Sequence, residues 1–334
     1  WSWGSVENKN SQISLIPHGI PFTVGNAGEG VYTLDTHTFN GSAKHYIDGG
    51  YVDGNPTNLY IKSVGEGKYT ISTADGSAYF TASAGTTVVA NTGTDATNSL
   101  AQWYFVSKKD RDKTLASATT ANPVDATYYI PNASFSRGMN TANNANKWSV
   151  EASNKNLDSE SNCAESYHST FDVRQTITVP NGKYRFRAQG FYRQDGTDNE
   201  NLPYFFIEDQ KITFPVRTGS EGSMDAAGTS FRSGLYYTDY VEVVVEDREI
   251  TLGCKLETNT ALWCIWDNFE LEMINIPQST VTKNISANKY STFIAPFDVT
   301  IPEGVTASKV TGTEGEILVF EGLEETIPAN TPVV

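Results

Sequence analysis

The first hundred residues contain an internal repeat, and this repeat restricts the possible folds more than any other feature of the chain. A Gly-Glu-Gly turn followed by a run of apolar and aromatic residues begins at Gly28 and returns at Gly65, 37 residues later. Units of this length cannot each bury an apolar face alone, so they must pack on one another. Three such units, rich in short strands and glycine turns, predict a β-trefoil over residues 1–107.

Residues 171–189 carry the clearest strand signal in the rest of the chain. A β-rich run at 171–179 leads into the turn dipeptide Asn181-Gly182, and residues 183–189 then alternate between polar and apolar side chains. Alternation beside an Asn-Gly turn is a strong short-range signal for a hairpin, so a hairpin is predicted here. Further strands are predicted over residues 240–245, 248–256 and 263–273.

The chain as a whole is predicted to be all-β. It has 17 Tyr and 16 Phe against 3 Met, a composition typical of strands. Strands and turns at this spacing predict a β-sandwich or jelly roll over residues 123–276. A charged run that starts at Lys108 predicts one short helix in a linker over residues 108–122. The proline-punctuated segment 277–334 predicts a small, incomplete C-terminal β-module.

The charge balance excludes two classes of partner. Lys and Arg number 24 against 39 Asp and Glu, which gives a formal net charge of −15. An acidic surface repels phosphate backbones and anionic lipid headgroups, so no nucleic acid and no charged membrane surface is expected as a partner. No apolar run approaches the roughly 18 residues that a membrane-spanning helix needs. The sequence leaves the oligomeric state open.

Several landmarks of residues 123–276 occur in an order that is similar to a known family. They are Ile130-Pro131-Asn132, Lys147-Trp148, Gly182-Lys183-Tyr184, Gly190-Phe191-Tyr192-Arg193 and Trp266-Asp267-Asn268-Phe269. The segment resembles the galactose-binding-like jelly rolls of carbohydrate-binding modules, in the form found in large secreted proteins of gut Bacteroidetes. In those proteins the module often follows a ricin-like lectin trefoil, which residues 1–107 resemble more loosely through Gln102-Trp103.

This resemblance implies a function and a set of candidate residues. It implies non-catalytic binding of a polysaccharide or oligosaccharide by a secreted or cell-surface bacterial protein that requires no cofactor. Sugars bind through their CH faces on aromatic rings and through their hydroxyl groups on planar polar side chains. Arg193 and Asp195 are the leading pair of such side chains near the expected loops, and Tyr192, Trp148 and Tyr167 join them. For Trp148, packing inside the sandwich is the alternative.

The resemblance also implies a candidate structural calcium ion, because modules of this family often hold one with carboxylate and backbone oxygens. Asp267 stands at the family's late-strand aspartate position. The early acidic partner would fall near Ser136, which carries no charge. The four histidines form no i, i+4 pair and the cysteines have no zinc-type spacing, so no transition-metal site is predicted.

The three cysteines are too few for a disulfide framework. If the strands on either side of Asn259 form a hairpin, Cys254 and Cys264 lie opposite each other. They would then form either a cross-strand disulfide or two reduced thiols in the core. Cys163 is predicted to be a lone thiol in a loop.

The glycine-rich loops run into strands rather than helices, so they predict tight turns rather than phosphate-binding loops.

Two other functions stay open at this point. A glycoside hydrolase, in this chain or in a further domain, would need two facing carboxylates in a cleft, and the sequence singles out no such pair. A structural or adhesion spacer would lack an aromatic binding surface.

Overall fold

The computed structural model describes residues 3–6, 13–16, 22–40, 44–48, 51–53, 56–74, 76–82, 89–135, 148–157, 163–197, 200–258, 261–275, 283–285, 289–295, 298–328 and 330–334. The chain divides into two compact units, Trp1–Pro277 and Gln278–Val334. Most of the regular structure in these residues is β-strand, so the fold is all-β as predicted. None of the described helices has the length and apolar character needed to span a membrane.

The N-terminal part of the first unit is built from short strands. They are β1 (Trp3–Val6), β2 (Ile13–Ile16), β3 (Thr23–Gly28), β4 (Val31–Asn40), β5 (Lys44–Asp48), β6 (Tyr51–Asp53), β7 (Leu59–Gly65), β8 (Lys68–Ala74), β9 (Ser77–Ala82), β10 (Val89–Gly93) and β11 (Trp103–Tyr104). β1 pairs with β2, and the larger sheet has the order β10-β9-β8-β7-β4-β5-β6, with β3 beside β4 and β11 beside β8. Its core contains Leu34, Ile47, Leu59 and Phe80, and Trp103 packs against them.

The two copies of the sequence repeat form equivalent hairpins. Gly28 pairs with Val31 at the end of one hairpin, and Gly65 pairs with Lys68 at the end of the other. In the second turn Gly67 has a φ of 71°, a left-handed conformation that glycine adopts at little cost. Both glycine-rich loops are therefore turns between strands, as predicted. The threefold arrangement of a trefoil stays a prediction.

The remainder of the first unit is a β-sandwich. Its strands are β12 (Val124–Asp125), β13 (Ser149–Ala152), β14 (Lys155–Asn156), β15 (Ala164–Tyr167), β16 (Phe171–Thr178), β17 (Gly182–Gln194), β18 (Tyr204–Ile207), β19 (Gln210–Thr213), β20 (Val241–Val245), β21 (Glu249–Leu256) and β22 (Leu262–Asn275). A six-stranded sheet has the order β14-β15-β22-β17-β20, with β12 beside β22, and a five-stranded sheet has the order β13-β16-β21-β18-β19.

One aromatic core joins the two sheets. Alternate residues of β16 and β17 are buried, and those of both strands contribute to the same hydrophobic cluster. Trp266 of β22 is fully buried near its centre, where its ring stacks on Phe171 of the opposite sheet with centroids 4.9 Å apart. Side chains that interdigitate between two face-to-face sheets define a β-sandwich.

The hairpin predicted around Asn181-Gly182 is wrong, although the strands themselves are present. β16 pairs with β13 and β21, whereas β17 pairs with β20 and β22. The turn therefore carries the chain from one sheet to the other. The alternation specifies which residues of a strand face the core. The same pattern is compatible with two strands paired in one sheet and with two strands in opposite sheets.

The strands on either side of Asn259 do not pair as a hairpin, so the condition that would set Cys254 opposite Cys264 is not met. β21, which contains Cys254, lies in the five-stranded sheet, and β22, which contains Cys264, lies in the six-stranded sheet. The two thiols are free and buried in the core between the sheets rather than side by side on one sheet. Cys163 is also free and buried, and its thiol donates to the carbonyl of Met224 over 3.6 Å.

Burial should make all three cysteines unreactive in the folded protein. Removal from water raises the pKa of each thiol, and the thiolate is the reactive form. We expect a thiol reagent such as DTNB to label none of them until guanidinium unfolds the chain, after which three thiols react. Rapid labelling of the native protein would contradict the burial, and a count of one thiol after unfolding would reveal a disulfide.

The described residues of the first unit also form two α-helices, α1 (Lys108–Thr114) and α2 (Met224–Arg232), and short 3-10 helices at Ser99–Ala101, Leu115–Ser117 and Thr127–Tyr129. The hydroxyl of Ser107 caps α1, which is the helix that the charged run predicted. Leu115 and Ala118, just after it, belong to the sandwich core, so the predicted linker is packed against the sandwich. α2 was not predicted.

The second unit is small. Its strands are β23 (Val299–Thr300), β24 (Ala307–Glu314), β25 (Ile317–Leu323) and β26 (Thr326–Ile327). β24 and β25 form a hairpin, β23 pairs with β26, and Val333 bridges to Phe293 and Lys309. Ala307, Ile327 and Val333 form its core.

Candidate functional site

A row of three residues crosses the outer face of the six-stranded sheet near one end. Tyr167 of β15 lies opposite Trp263 of β22, which lies opposite Arg193 of β17. Successive side chains of a strand point to opposite faces of its sheet. Cys264, which follows Trp263, belongs to the core between the sheets, so the row itself faces outward. The alternation along the three strands thus places two aromatic residues and a guanidinium on one face of the sheet.

Asp195 holds the guanidinium of Arg193 in a fixed position. Nε of Arg193 donates to Oδ1 of Asp195 and Nη2 donates to Oδ2, each over 2.7 Å. The hydrogen bond from Arg193 is the main cause that lowers the pKa of Asp195, and the same bond raises the pKa of Arg193. A two-pronged contact of this kind fixes geometry as well as charge.

A histidine that sequence reasoning overlooked completes this group. The rings of Tyr167 and His168 stack with their centroids 4.0 Å apart and their planes 11° from parallel. Nε2 of His168 lies 3.0 Å from Oδ2 of Asp195. His168 has a φ of 48°, and its backbone N–H donates to the carbonyl of Leu262. This backbone conformation lets the rings of two successive residues stack.

The ring of Trp263 packs against the guanidinium of Arg193. The guanidinium carbon of Arg193 lies 4.8 Å from the centre of the Trp263 ring, a distance typical of a cation–π contact. Trp263 is itself buried, and its indole N–H donates to Oε2 of Glu165 over 2.6 Å. The side chain of Arg193 is therefore held by a carboxylate on one side and an aromatic face on another.

The outcome for the predicted site residues is mixed. Arg193, Asp195 and Tyr167 come together, and Tyr167 keeps 41% of its surface exposed. Tyr192 follows the opposite alternation and packs against the main core. The position of Trp148 corrects the expectation that its ring faces a ligand: it is only 6% exposed.

Trp148 packs in the core because several partners surround it. Its ring lies 4.8 Å from that of Phe135 and 5.1 Å from that of Phe269, measured between centroids. Its indole N–H donates to the carbonyl of Asn132 over 3.2 Å. The alternative that the sequence left open, packing inside the sandwich, describes this residue.

Asp267, the predicted calcium ligand, is buried in a hydrogen-bond network. Its Oδ1 accepts the backbone N–H of Asn268 and its Oδ2 accepts the side-chain amide of Asn268, which also donates to Gln189. Among the described residues, no group of three or more His, Cys, Asp and Glu side chains could hold a metal ion. Ser136, at the expected partner position, lies outside the described residues, so the calcium ion stays a prediction.

Helix α2 covers the part of the outer face next to the row. Phe191, Ile265 and Trp263 on the sheet pack with Ala227 and Phe231 of the helix in a second hydrophobic cluster. The helix begins with the hydroxyl of Ser223, which accepts the N–H of Ala226. Among the described residues of the row, Trp263 is buried beside this cluster, whereas Tyr167 is 41% exposed.

A buried carboxylate fastens α2 to the loop that precedes it. Glu221 accepts hydrogen bonds from the hydroxyls of Ser230, over 2.7 Å, and Tyr236, over 3.0 Å. Burial acts to raise the pKa of Glu221, but these hydrogen bonds act against it, and the net pKa is lowered. Tyr236 also accepts the backbone N–H of Gly219, so one hydroxyl ties the loop to the carboxylate.

Replacing Glu221 with alanine should destabilise the protein by about 1–3 kcal/mol at neutral pH, because two partly buried hydroxyls lose their acceptor. A carboxyl whose folded pKa is lowered stabilises the fold above its ordinary pKa of about 4.5, and that stability is lost as the pH falls through the folded value. The gap to the wild-type protein should therefore shrink in acid. Urea unfolding at neutral pH and near pH 3 measures it, with exposed Glu324→Ala as the control. A gap that is equal at both pH values would contradict this role.

Comparisons with known proteins give little guidance. No protein-family model matches the chain, and no curated protein matches it. One solved structure that matches is described as TmCBM61 in complex with β-1,4-galactotriose. The two chains are 15% identical, and the match covers 43% of this chain and 96% of that chain with a TM-score of 0.27. A likeness this distant assigns no ligand to the site described above.

Proposed function

We propose that this protein binds carbohydrate, without catalysis, on the surface formed by Tyr167, His168, Arg193 and Asp195, called here the Tyr167 surface. The observation that carries the proposal is the half-exposed Tyr167 ring beside a fixed guanidinium–carboxylate pair. An exposed aromatic ring needs no polar neighbours to be stable on a surface. A ring flanked by paired donors and acceptors is what recognition of a sugar requires.

Each component matches one part of a pyranose. The aromatic face of Tyr167 contacts the CH groups of one face of the sugar ring. Arg193 donates hydrogen bonds to hydroxyl oxygens of the sugar through N–H groups that its two bonds to Asp195 and its hydrogen bond with the Tyr167 hydroxyl do not use. The carboxylate of Asp195 accepts hydrogen bonds from hydroxyl groups. His168 supports the ring of Tyr167 from one side, which leaves the other side for the ligand.

The site is held in place before any ligand arrives. Arg193 and Asp195 hold each other, the ring of Trp263 lies under Arg193, and Glu165 holds Trp263. Ordering a long, flexible side chain on binding costs about 0.5–1.5 kcal/mol, and a preformed pair avoids most of that cost. We therefore expect modest but measurable affinity at a single shallow site.

The proposal carries a location with it. Polysaccharides are encountered outside the cell, so we propose a secreted or cell-surface protein, in line with the resemblance seen in the sequence. A structural calcium ion at Asp267 and a trefoil over residues 1–107 belong to the same proposal. Linked modules on one chain would raise the overall avidity for a polymer that carries many sites.

A glycan screen tests the proposed function. The full chain is applied to a glycan array and to affinity gels that contain neutral and acidic polysaccharides, with and without calcium. We expect binding or retarded migration with at least one glycan, and we expect Arg193→Ala to abolish it. No retention on any polysaccharide would overturn the proposal and favour the spacer function. Release of reducing sugar from a bound polymer would favour the hydrolase.

A further inference from the structure

The Tyr167 surface contains a guanidinium that could serve two different kinds of sugar. The planar fork of an arginine fits a carboxylate with two parallel hydrogen bonds. It also fits two adjacent hydroxyl oxygens of a neutral pyranose. Uronic acids and neutral hexoses share the same ring and differ at C6, so the shape of Arg193 alone does not distinguish them.

The charges around Arg193 do distinguish them. The guanidinium is already paired with the carboxylate of Asp195 through both carboxylate oxygens. A second carboxylate, that of Glu165, accepts the indole N–H of Trp263, the ring on which Arg193 lies. An acidic sugar at Arg193 would therefore meet one cation already neutralised by Asp195, with Glu165 as a further negative group.

The charge of the rest of the protein also disfavours an acidic ligand. The chain has a formal net charge of −15. Arg217 is a second arginine near this site. Its backbone N–H donates to the carbonyl of Tyr192, and its guanidinium donates to the carbonyl of Glu221. The carboxylate of Glu221 is buried beside it and keeps a lowered pKa. The charge of Arg217 is therefore also balanced by a nearby carboxylate.

We propose that the Tyr167 surface selects uncharged sugars and rejects acidic ones, such as uronic acids and sulfated sugars. This inference rests on the proposed function, since it names the class of ligand for that same site. Asp195 is the specificity-determining residue: it positions Arg193 for hydroxyl oxygens and repels a ligand carboxylate. Specificity of this kind comes from a repulsive group as much as from an attractive one.

Matched pairs of polymers provide the test. Polygalacturonate is compared with its carboxyl-reduced form, an α-1,4-galactan, and polymannuronate with β-1,4-mannan, so that each pair differs mainly at C6. Binding is measured near neutral pH for the wild-type chain and for Tyr167→Ala, Asp195→Asn and Arg193→Lys. For whichever pair binds, we expect the neutral polymer to bind at least about tenfold more tightly than the acidic one. Raising NaCl from about 50 to about 500 mM should change the affinity for the neutral polymer less than about twofold.

The Asp195→Asn variant separates charge from shape. The amide has nearly the same size as the carboxylate but carries no charge. The ratio of the affinity for the acidic polymer to the affinity for the neutral polymer should therefore rise at least about fivefold in this variant. That gain should disappear at high salt. Thermal unfolding of each variant identifies any that fail to fold, and the salt dependence of the wild-type chain tests the inference without a variant.

The outcomes are distinct for the two proposals. If the wild-type chain prefers the acidic polymer and Tyr167→Ala abolishes that binding, the inference is overturned and the proposed function stands. If neither these polymers nor any glycan of the array and affinity gels binds, both are overturned. Both proposals are supported if three results agree. The wild-type chain prefers the neutral polymer, Tyr167→Ala loses binding, and Asp195→Asn shows a smaller preference for the neutral polymer over the acidic one.

Discussion

Replacing Tyr167 with alanine is expected to weaken the binding of a neutral glycan about tenfold or more. The substitution removes the aromatic face and its stacking contact with the sugar, and a tenfold loss corresponds to about 1.4 kcal/mol. Tyr167 is half-exposed, so the fold should be little affected. Isothermal titration or affinity electrophoresis measures the affinity.

A second tyrosine provides the matched control for this experiment. Tyr290 is 76% exposed and lies in the C-terminal unit, far along the chain from the Tyr167 surface. Tyr290→Ala removes the same group from a surface and should leave the affinity unchanged. Equal losses in the two variants, or none in either, would show that the ligand binds elsewhere or not at all.

Replacing Trp148 with alanine is expected to destabilise the sandwich by about 3–5 kcal/mol, the usual cost of removing a large aromatic side chain from a core. The indole is almost fully buried between Phe135 and Phe269, and its N–H bonds to Asn132. Urea unfolding measures the loss. Trp148→Phe keeps a ring in the same space and loses the hydrogen bond, so we expect a smaller loss, of about 1–2 kcal/mol.

The Trp148 variants also separate packing from binding. Under conditions in which Trp148→Phe remains folded, its glycan affinity should equal that of the wild-type chain, because the indole contacts no part of the Tyr167 surface in the described structure. A variant that stays fully folded and loses binding would place Trp148 in the site after all.

The strands could be predicted from the sequence because their signal is local. Runs of β-forming residues, with period-two alternation in β17, located β16, β17, β20, β21 and β22 to within a few residues. Which strands pair is a different matter, because it depends on residues far apart in the chain. β16 and β17 alternate on either side of an Asn-Gly turn, and that pattern is the same whether they lie side by side or face each other across a core.

Helix α2 had a signal that could have been found. Ser223 is a suitable N-cap, Asp225 lies in the first turn, and Met224, Ala227 and Phe231 recur at the three-to-four-residue spacing of a helix face. The glycines and serines around this segment favour a loop, and only the packing on Trp263 and Ile265 shows what the apolar residues cover.

The site could be predicted in part. Arg193 and Asp195 are close in sequence, so their pairing follows from local geometry. Tyr167 and Trp263 join them only through the register of β15, β22 and β17, which the sequence does not reveal. Tyr192 differs from Arg193 by one position, and one position reverses the face of a strand. Rich aromatic composition did not distinguish Trp148, a core residue, from Tyr167, a surface one.

The crystal structure of the chain with the tightest-binding oligosaccharide tests the central claim most directly. We predict one pyranose ring lying against the exposed face of Tyr167, with hydroxyl groups within hydrogen-bond distance of both Arg193 and Asp195. A sugar bound at any other surface, with the Tyr167 ring bare, would contradict it.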